Sequence, residues 1–235
     1  MVLDRTFTKV FAMSLESVRQ RAARSPLGQW ILRRRFHDSG SYWEQRYAAG
    51  GTSGAGSYGA DAEWKAEVVN GWVAQFGVSS VIDFGCGDGN QLSLAHYPRY
   101  LGLDRSATAV RTCIARFADD PTKSFFQYDP GATADPAGWL RADLALSLEV
   151  IFHLVEDDIR EDYLTRLFAG AERFVVICAA DRGDLPDGPH ERHRPFTPWI
   201  AANQPQWDLV ERLAPPAGVD LVSELFLYRR TESSA

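Results

Sequence analysis

The chain has 235 residues, of which 45% are hydrophobic and 24% are charged. This is a globular composition, and the length predicts a single α/β-type domain rather than two domains. No stretch approaches the roughly 20 apolar residues of a membrane span, and the first residues do not predict a signal peptide. The three cysteines are odd in number and lack zinc-site spacing, which argues against a disulfide framework and predicts a cytoplasmic protein.

The net charge of −6 is distributed unevenly along the chain. Residues 1–36 carry eight Arg or Lys and two Asp or Glu, so this segment is +6 and the remainder is −12. Phosphate contacts need a basic surface, so we expect no nucleic-acid partner. The basic segment reads as one or two helices. It is compatible with an anionic membrane surface or with a partner subunit, including a second copy of the chain.

The chain divides into an N-terminal helical extension (1–48), a glycine-rich lid or plain linker (49–60) and a main domain (61–235). In the main domain, Asp61 is expected to cap the first helix and Lys65 to lie on its solvent face. Strands alternate with helices, which predicts a mostly parallel sheet covered on both faces. Predicted strands are 78–85, 99–104, 124–129, 143–149, 173–180, 207–213 and 224–230, the last two as an antiparallel pair; predicted helices are 61–76, 106–118, 156–171 and 197–205.

The sequence VIDFGCGDGN is the strongest local signal. A β-branched strand runs into Gly85, Gly87 and Gly89, after which we expect a helix that includes the sequence SLAHY. A dinucleotide fingerprint needs G-x-G-x-x-G, whereas this loop is D-x-G-x-G-x-G and begins at Asp83. S-adenosylmethionine has no pyrophosphate, and an acidic residue suits its cationic methionyl amine. A nucleotide-dependent oxidoreductase remains the alternative.

Aspartates stand at or near the ends of three consecutive predicted strands. They are Asp83, Asp104 and Asp129. The ends of parallel strands meet at one sheet edge, where a carboxylate such as Asp104 can hold both ribose hydroxyls. Asp129 is then placed to reach the adenine amino group. The alternative is that the three are unrelated turn residues.

Residues 60–180 resemble the class I S-adenosylmethionine-dependent methyltransferases through this glycine loop and these aspartates. The resemblance implies a Rossmann-like fold with a seven-stranded sheet, mostly parallel with an antiparallel last strand. It also implies that the cofactor lies over the carboxyl ends of the first strands. The cofactor-binding residues predicted on this basis are Asp83, Gly85, Gly87, Asp104, Ser106, Asp129 and Leu148.

The sequence SLEVIFHLVEDD places a carboxylate and an imidazole at the end of the fourth predicted strand. In the resembling fold this position lies beside the methyl group, so Glu149 and His153 would face the reaction centre. In one hypothesis His153 is a general base and Glu149 assists the cofactor or caps a helix. In another hypothesis both bind a divalent cation that activates an acceptor hydroxyl. A third reading gives neither residue a catalytic role.

The metal hypothesis draws on a second resemblance. Small-RNA 3′-end methyltransferases and ubiquinone-pathway O-methyltransferases carry Glu-x-x-Glu-His here, and Phe152 replaces the inner Glu in this chain. The small-RNA enzymes add a later His before an aromatic residue, and PHERHRPFTPW supplies two candidates. The resemblance implies Mg²⁺ or Mn²⁺ bound by Glu149, His153, His193 and His190, with His153, Glu149 and His193 as the catalytic residues.

Three stretches resemble methyltransferases of glycan and polysaccharide synthesis, including the sugar O-methyltransferases of mycobacterial methylated polysaccharides. They are YWEQRYAAGGTSGAGSYG, LSLEVIFHLVEDD and HERHRPFTPWI. This resemblance implies a saccharide acceptor, and aromatic side chains such as Tyr42 and Trp43 can stack on sugar faces. The alternatives are a methyltransferase of a small metabolite or lipid, and a non-catalytic cofactor-binding scaffold in a glycan-synthesis complex.

Overall fold

The computed structural model describes residues 38–188 and 190–231. Seven strands form one sheet within them. The strands are β1 (Val81–Phe84), β2 (Tyr100–Asp104), β3 (Lys123–Gln127), β4 (Ala142–Leu148), β5 (Ala171–Ala179), β6 (Trp207–Leu213) and β7 (Glu224–Arg230). Their order is β3-β2-β1-β4-β5-β7-β6.

The direction of the strands confirms the predicted fold class. Strands β1 to β5 pair in parallel, and β7, the last strand in the chain, runs antiparallel to both β5 and β6. Because β2 and β4 both pair in parallel with β1, their carboxyl ends lie along one edge of the sheet. That edge carries Asp83, Asp104 and Leu148.

Helices cover both faces of the sheet. On one face α2 packs Val69 and Trp72 against the strands, and on the other face α4 packs Leu164 and Phe168. Burial on both faces explains why the central strands read as nearly continuous apolar runs. The α-helices are α1 (Ser39–Ala48), α2 (Gly59–Gln75), α3 (Ala107–Arg116), α4 (Asp157–Ala169) and α5 (Thr197–Asn203).

The prediction of a helix directly after the glycine loop is wrong. The chain forms only a 3₁₀ turn there, over Gln91–Leu94, and becomes extended at Ala95. The segment between Gly89 and Tyr100 is short, and the residue before Pro98 is biased away from helical geometry. The glycine loop therefore does not lead directly into an α-helix.

Two predictions for α2 are also wrong. The helix begins at Gly59 after Tyr58, so Asp61 lies in its first turn, where its carboxylate accepts the backbone N–H of Asp220 at 3.0 Å. Lys65 is fully buried instead of facing solvent. Its neighbours one turn away, Ala62 and Val69, are buried as well, so Lys65 lies within the helix stripe that faces the sheet.

The helix α1 belongs to the last part of the predicted N-terminal extension, and the rest of that extension, 1–37, lies outside the described residues. The carboxylate of Glu44 on α1 accepts from Ser106 Oγ (2.6 Å) and from the backbone N–H of Thr108 (3.1 Å) at the start of α3. These bonds lower the pKa of Glu44 to about 2 and fasten α1 beside the carboxyl edge of the sheet. None of the helices in the described part combines the length and apolar character needed to cross a membrane.

Candidate functional site

A cleft opens at the carboxyl edge of the sheet. Its volume is about 1110 Å³ with the open mouth included. Strand ends and the loops after β1, β2 and β4 form its floor, and α1 with the following segment forms one wall. Among the lining residues are Trp43, Tyr47, Ser53, Asp83, Gly85, Gly87, Gln91, Asp104, Leu148, Glu149 and His153.

The glycine loop after β1 is closely approached from two sides. Gly85 and Gly87 have φ angles of 107° and 58°, a region that side chains rarely adopt. A Cβ on Gly85 would lie 2.6 Å from Val150 Cγ2, and one on Gly87 would lie 2.3 Å from Ser53 Oγ. The predicted cofactor residues Gly85 and Gly87 therefore form a cradle that only glycine fits.

Asp83 places a buried carboxylate at this edge. One oxygen accepts from Tyr100 Oη at 2.8 Å, and the other, Oδ1, is buried without a hydrogen-bond partner among the described residues. Burial raises the pKa of Asp83 to about 7. An unpaired carboxylate oxygen in a cleft fits a cationic group, so the site agrees with the methionyl ammonium of S-adenosylmethionine.

Asp104 lies at the end of β2, where its carboxylate accepts the backbone N–H of Gly87 (3.0 Å) and of Ser106 (2.8 Å). Burial raises its pKa to about 6. Ser106 is the N-cap of α3, with Oγ accepting from the N–H of Ala109, and it is buried behind Asp104 rather than lining the cleft. Asp104 can thus meet a ligand directly, while Ser106 positions it.

The other two predicted cofactor residues differ in placement. Leu148 lines the cleft. Asp129 is exposed, caps the short turn Pro130–Ala132 and accepts the backbone N–H of Gly131 at 3.0 Å. The residues on either side of Asp129 line the cleft, but Asp129 does not. Its contact with adenine remains a prediction.

Glu149 follows β4 with an unusual backbone. It is the one non-glycine residue of the described chain with a positive φ, 62°. Such conformations concentrate at functional sites. Its Oε1 accepts from the thiol of Cys178 at 3.2 Å, so its carboxylate points toward β5 while the residue lines the cleft.

His153 ends the 3₁₀ turn Ile151–His153 and lines the cleft. Its Nδ1 donates to the carbonyl of His190 at 3.1 Å, which leaves Nε2 available. The indole of Trp43 meets the imidazole edge-on at 4.8 Å, and Tyr42 stacks on His190 at 4.2 Å. Burial lowers the pKa of His153 to about 4, so the ring is neutral at pH 7.

Two further donor groups converge beside this imidazole. One donor atom from each of His153, His190 and Glu191 lies within 4.8 Å of the others, and among the described residues no other group of three or more meets this criterion. Glu191 was not predicted as a ligand, although it directly follows His190. The hydrogen bond from His190 lowers the pKa of Glu191, which keeps the carboxylate ionised.

The structure does not bring the predicted ligands Glu149 and His193 into this group. Glu149 is held by Cys178. The ring of His193 stacks on Phe152 at 5.0 Å, and its backbone N–H donates to Asp187 at 2.9 Å. The position that the resembling enzymes fill with an inner Glu therefore carries an aromatic ring that supports His193.

The glycine-rich segment after α1 is fastened over the glycine loop. The carboxylate of Asp88 accepts from the backbone N–H of Ser53 (2.9 Å) and from Tyr58 Oη (2.7 Å). In return Ser53 Oγ accepts the backbone N–H of Asp88 at 2.9 Å and shares a hydrogen bond with Tyr47 Oη. We call Ser53, Tyr58 and Asp88 the clasp. Asp88 was not predicted as functional, and its adjacency to Gly87 was the only available signal.

No protein-family model matches the chain, and no curated protein matches it either. Solved structures do. The methyltransferase domain of bacterial CtHen1 is 20% identical over 72% of this chain and 98% of that one, with a TM-score of 0.58. Magnesium protoporphyrin IX methyltransferase (ChlM) from Synechocystis PCC 6803 with bound S-adenosylhomocysteine is 16% identical over 86% and 100%, with a TM-score of 0.58.

N-methyltransferase NodS from Bradyrhizobium japonicum WM9, in complex with S-adenosylhomocysteine, is 15% identical over 83% of this chain and 100% of that one, with a TM-score of 0.61. At these identities the likeness shows the fold. The chain thus shares the Rossmann-like fold of class I methyltransferases, and the cleft lies at the edge of the sheet where the glycine loop is found.

Proposed function

We propose that this protein is an S-adenosylmethionine-dependent O-methyltransferase that methylates a saccharide hydroxyl with the help of a divalent cation. The observation that carries the proposal is the adjacency of two sites on one cleft. The glycine cradle and the unpaired Asp83 oxygen fit the cofactor, and His153, from the group with His190 and Glu191, lines the same cleft.

The similar solved structures support the cofactor and methyl transfer, but they do not point to one class of acceptor. ChlM and NodS were both crystallised with S-adenosylhomocysteine, which supports S-adenosylmethionine as the cofactor. Their names describe a porphyrin methyltransferase and an N-methyltransferase, and another neighbour is named a small RNA methyltransferase. Because these acceptors differ, the saccharide is proposed from the glycan-type sequence stretches and from Trp43 in the cleft wall.

The donor set indicates which cation to test. Two imidazoles and one carboxylate suit Mn²⁺ better than Mg²⁺, which prefers oxygen ligands. His153 is prepared for such a role because its Nδ1–H is held by the His190 carbonyl and its ring is neutral at pH 7. We therefore propose His153, His190 and Glu191 as the ligands, in place of the set that includes Glu149 and His193.

In this mechanism the cofactor supplies an electrophilic methyl group and the cation lowers the pKa of a bound hydroxyl. The chain supplies orientation. Asp83 holds the ammonium end, Asp104 holds the ribose, and Trp43 offers an aromatic wall to the acceptor. Glu149 and His193 remain predicted acceptor-site residues. The aromatic rings of Trp43 and Phe152 lie against the imidazole of His153 and fix one wall of the site.

The remaining proposals concern the cellular location and the partners of the protein. We propose that the protein acts in the cytoplasm, in keeping with three free, buried thiols. We also propose that it has no nucleic-acid partner, in view of the −12 charge outside the N-terminal segment. Contact of the basic N-terminal segment with a membrane or a partner subunit, and homo-oligomer formation, remain proposals for residues outside the described part.

The test is methyl transfer from radiolabelled S-adenosylmethionine to a panel of oligosaccharides, lipids and small metabolites, with EDTA or with added Mn²⁺ or Mg²⁺. We expect transfer to an oligosaccharide that EDTA abolishes and Mn²⁺ restores. The Glu191→Gln variant should lose the metal response, whereas His96→Gln, which changes an exposed histidine outside the cleft, should keep it.

The alternatives give different results in the same assay. Full activity in EDTA would contradict the proposed cation and favour His153 as a metal-free general base. Transfer only to lipids or small metabolites would overturn the saccharide proposal. Binding of S-adenosylhomocysteine without transfer to any acceptor would favour the scaffold.

A further inference from the structure

Lys65 is an unexplained charge in the interior of the protein. Its side chain is fully buried on α2, and its Nζ has no hydrogen-bond partner among the described residues. An ammonium group buried without a partner is unfavourable, because nothing replaces the water it has lost. A sequence that keeps a lysine there is explained if a ligand meets the ammonium in the working protein.

The location of Lys65 indicates which ligand that is. Its amine interacts electrostatically with Asp83 on β1 and with Cys178 on β5. In the sheet register Asp83 lies opposite Leu146 and Cys178 lies opposite Leu148, so both flank the carboxyl half of β4. Asp83 lines the cleft and interacts with the amine, so the amine lies near the end of the cleft where the glycine loop begins, although Lys65 itself is not among the lining residues.

Two further buried polar atoms without partners surround this end of the cleft. They are Asp83 Oδ1 and Gln91 Oε1, and both residues line the cleft. The Gln91 amide Nε2 donates to the carbonyl of Ala62 at 3.0 Å, one turn before Lys65, so this side chain lies against α2. The unpaired cation can bind a carboxylate, and the two unpaired acceptor oxygens can bind an ammonium group. Together they match the two charged groups of an amino-acid zwitterion.

We propose that Lys65 binds the α-carboxylate of the cofactor's methionyl group, while Asp83 and Gln91 accept hydrogen bonds from its α-ammonium. This inference rests on the proposed function for its ligand and adds a residue that the sequence placed on the surface. It explains why a buried cation and buried acceptors coexist without pairing with each other: each is satisfied by the opposite end of the same ligand.

The test compares two ligands that differ only in the carboxylate. These are S-adenosylhomocysteine and its decarboxylated analogue, S-adenosyl-3-thiopropylamine, titrated calorimetrically into the wild type and the Lys65→Met variant. We expect Lys65→Met to lower the affinity for S-adenosylhomocysteine by about 10- to 100-fold, the range for one charge-assisted contact. The affinity for the analogue should not change. Lys123→Met, at a lysine of β3 that already pairs with Asp120, should bind both ligands like the wild type.

Thermal unfolding of the ligand-free variant supplies a second readout. Methionine has a similar volume and carries no charge, so the ligand-free Lys65→Met protein should unfold at the same or a higher temperature. An equal loss of affinity for both ligands, or no loss of affinity for either, would overturn the role of Lys65 while leaving the cofactor assignment intact. A wild type that binds neither ligand would overturn the proposed function and this inference together.

Discussion

Replacing Asp83 by Asn tests the electrostatics of the cleft through the stability of the ligand-free protein. Asp83 is 7% exposed, and burial raises its pKa from 3.8 to about 7. The folded carboxyl therefore holds its proton more tightly than the unfolded one, so this group costs stability as the pH rises from about 4 to about 7. Asparagine keeps the shape and the hydrogen bond from Tyr100 but does not titrate.

The magnitude follows from the two pKa values. The full difference between 3.8 and about 7 corresponds to about 4 kcal/mol of unfolding free energy at alkaline pH. At pH 5 part of this cost is already present, and roughly 2 to 3 kcal/mol more is added by pH 8. The advantage of Asp83→Asn over the wild type should grow by that amount across the interval.

Urea denaturation at pH 5, 6, 7 and 8 measures this advantage, because titrating groups that do not interact with Asp83 contribute equally to both proteins and cancel in the difference. The same variant should bind S-adenosylhomocysteine more weakly at pH 8, where the wild-type carboxylate is ionised. A stability difference that stays constant with pH would refute the reasoning, since Asp83 would then have the same pKa in both states.

Three further substitutions test the cradle, the clasp and the core. Gly87→Ala should abolish measurable S-adenosylhomocysteine binding, because its Cβ would lie 2.3 Å from Ser53 Oγ at a φ of 58°; calorimetry with unchanged affinity would contradict the cradle. Asp88→Asn should loosen the segment held through Ser53 and Tyr58, so limited proteolysis there should speed up at least several-fold, whereas an unchanged rate would mean the clasp does not hold it. Phe196→Ala removes a fully buried ring and should cost about 3–5 kcal/mol in urea denaturation, and a loss below about 1 kcal/mol would show that the site repacks.

The strands and the glycine loop were predictable because they depend on residues that are close together in the sequence. The apolar run before Gly85 and the aspartate at the end of β2 each carry their signal within a few residues. The α3 cap at Ser106 was predictable for the same reason, since a serine before a helical pattern needs no tertiary information.

The missed features depend on long-range contacts. Lys65 looks like a surface lysine until α2 is docked on the sheet. Glu191 becomes a candidate ligand only when its loop folds back over His153, a pairing that no spacing rule contains. Asp88 resembles an ordinary loop acid, and its contacts with Ser53 join segments 35 residues apart. In each case tertiary packing decides the role.

The helix α1 touches both halves of the cleft. Trp43 lies edge-on to His153, and Tyr47, one turn later, shares a hydrogen bond with Ser53 over the glycine loop. A displacement of α1 that freed the cofactor would also withdraw the wall offered to the acceptor. Spent cofactor and methylated product would then leave in one event, and a long acceptor would be modified distributively, with a new encounter for each methyl group.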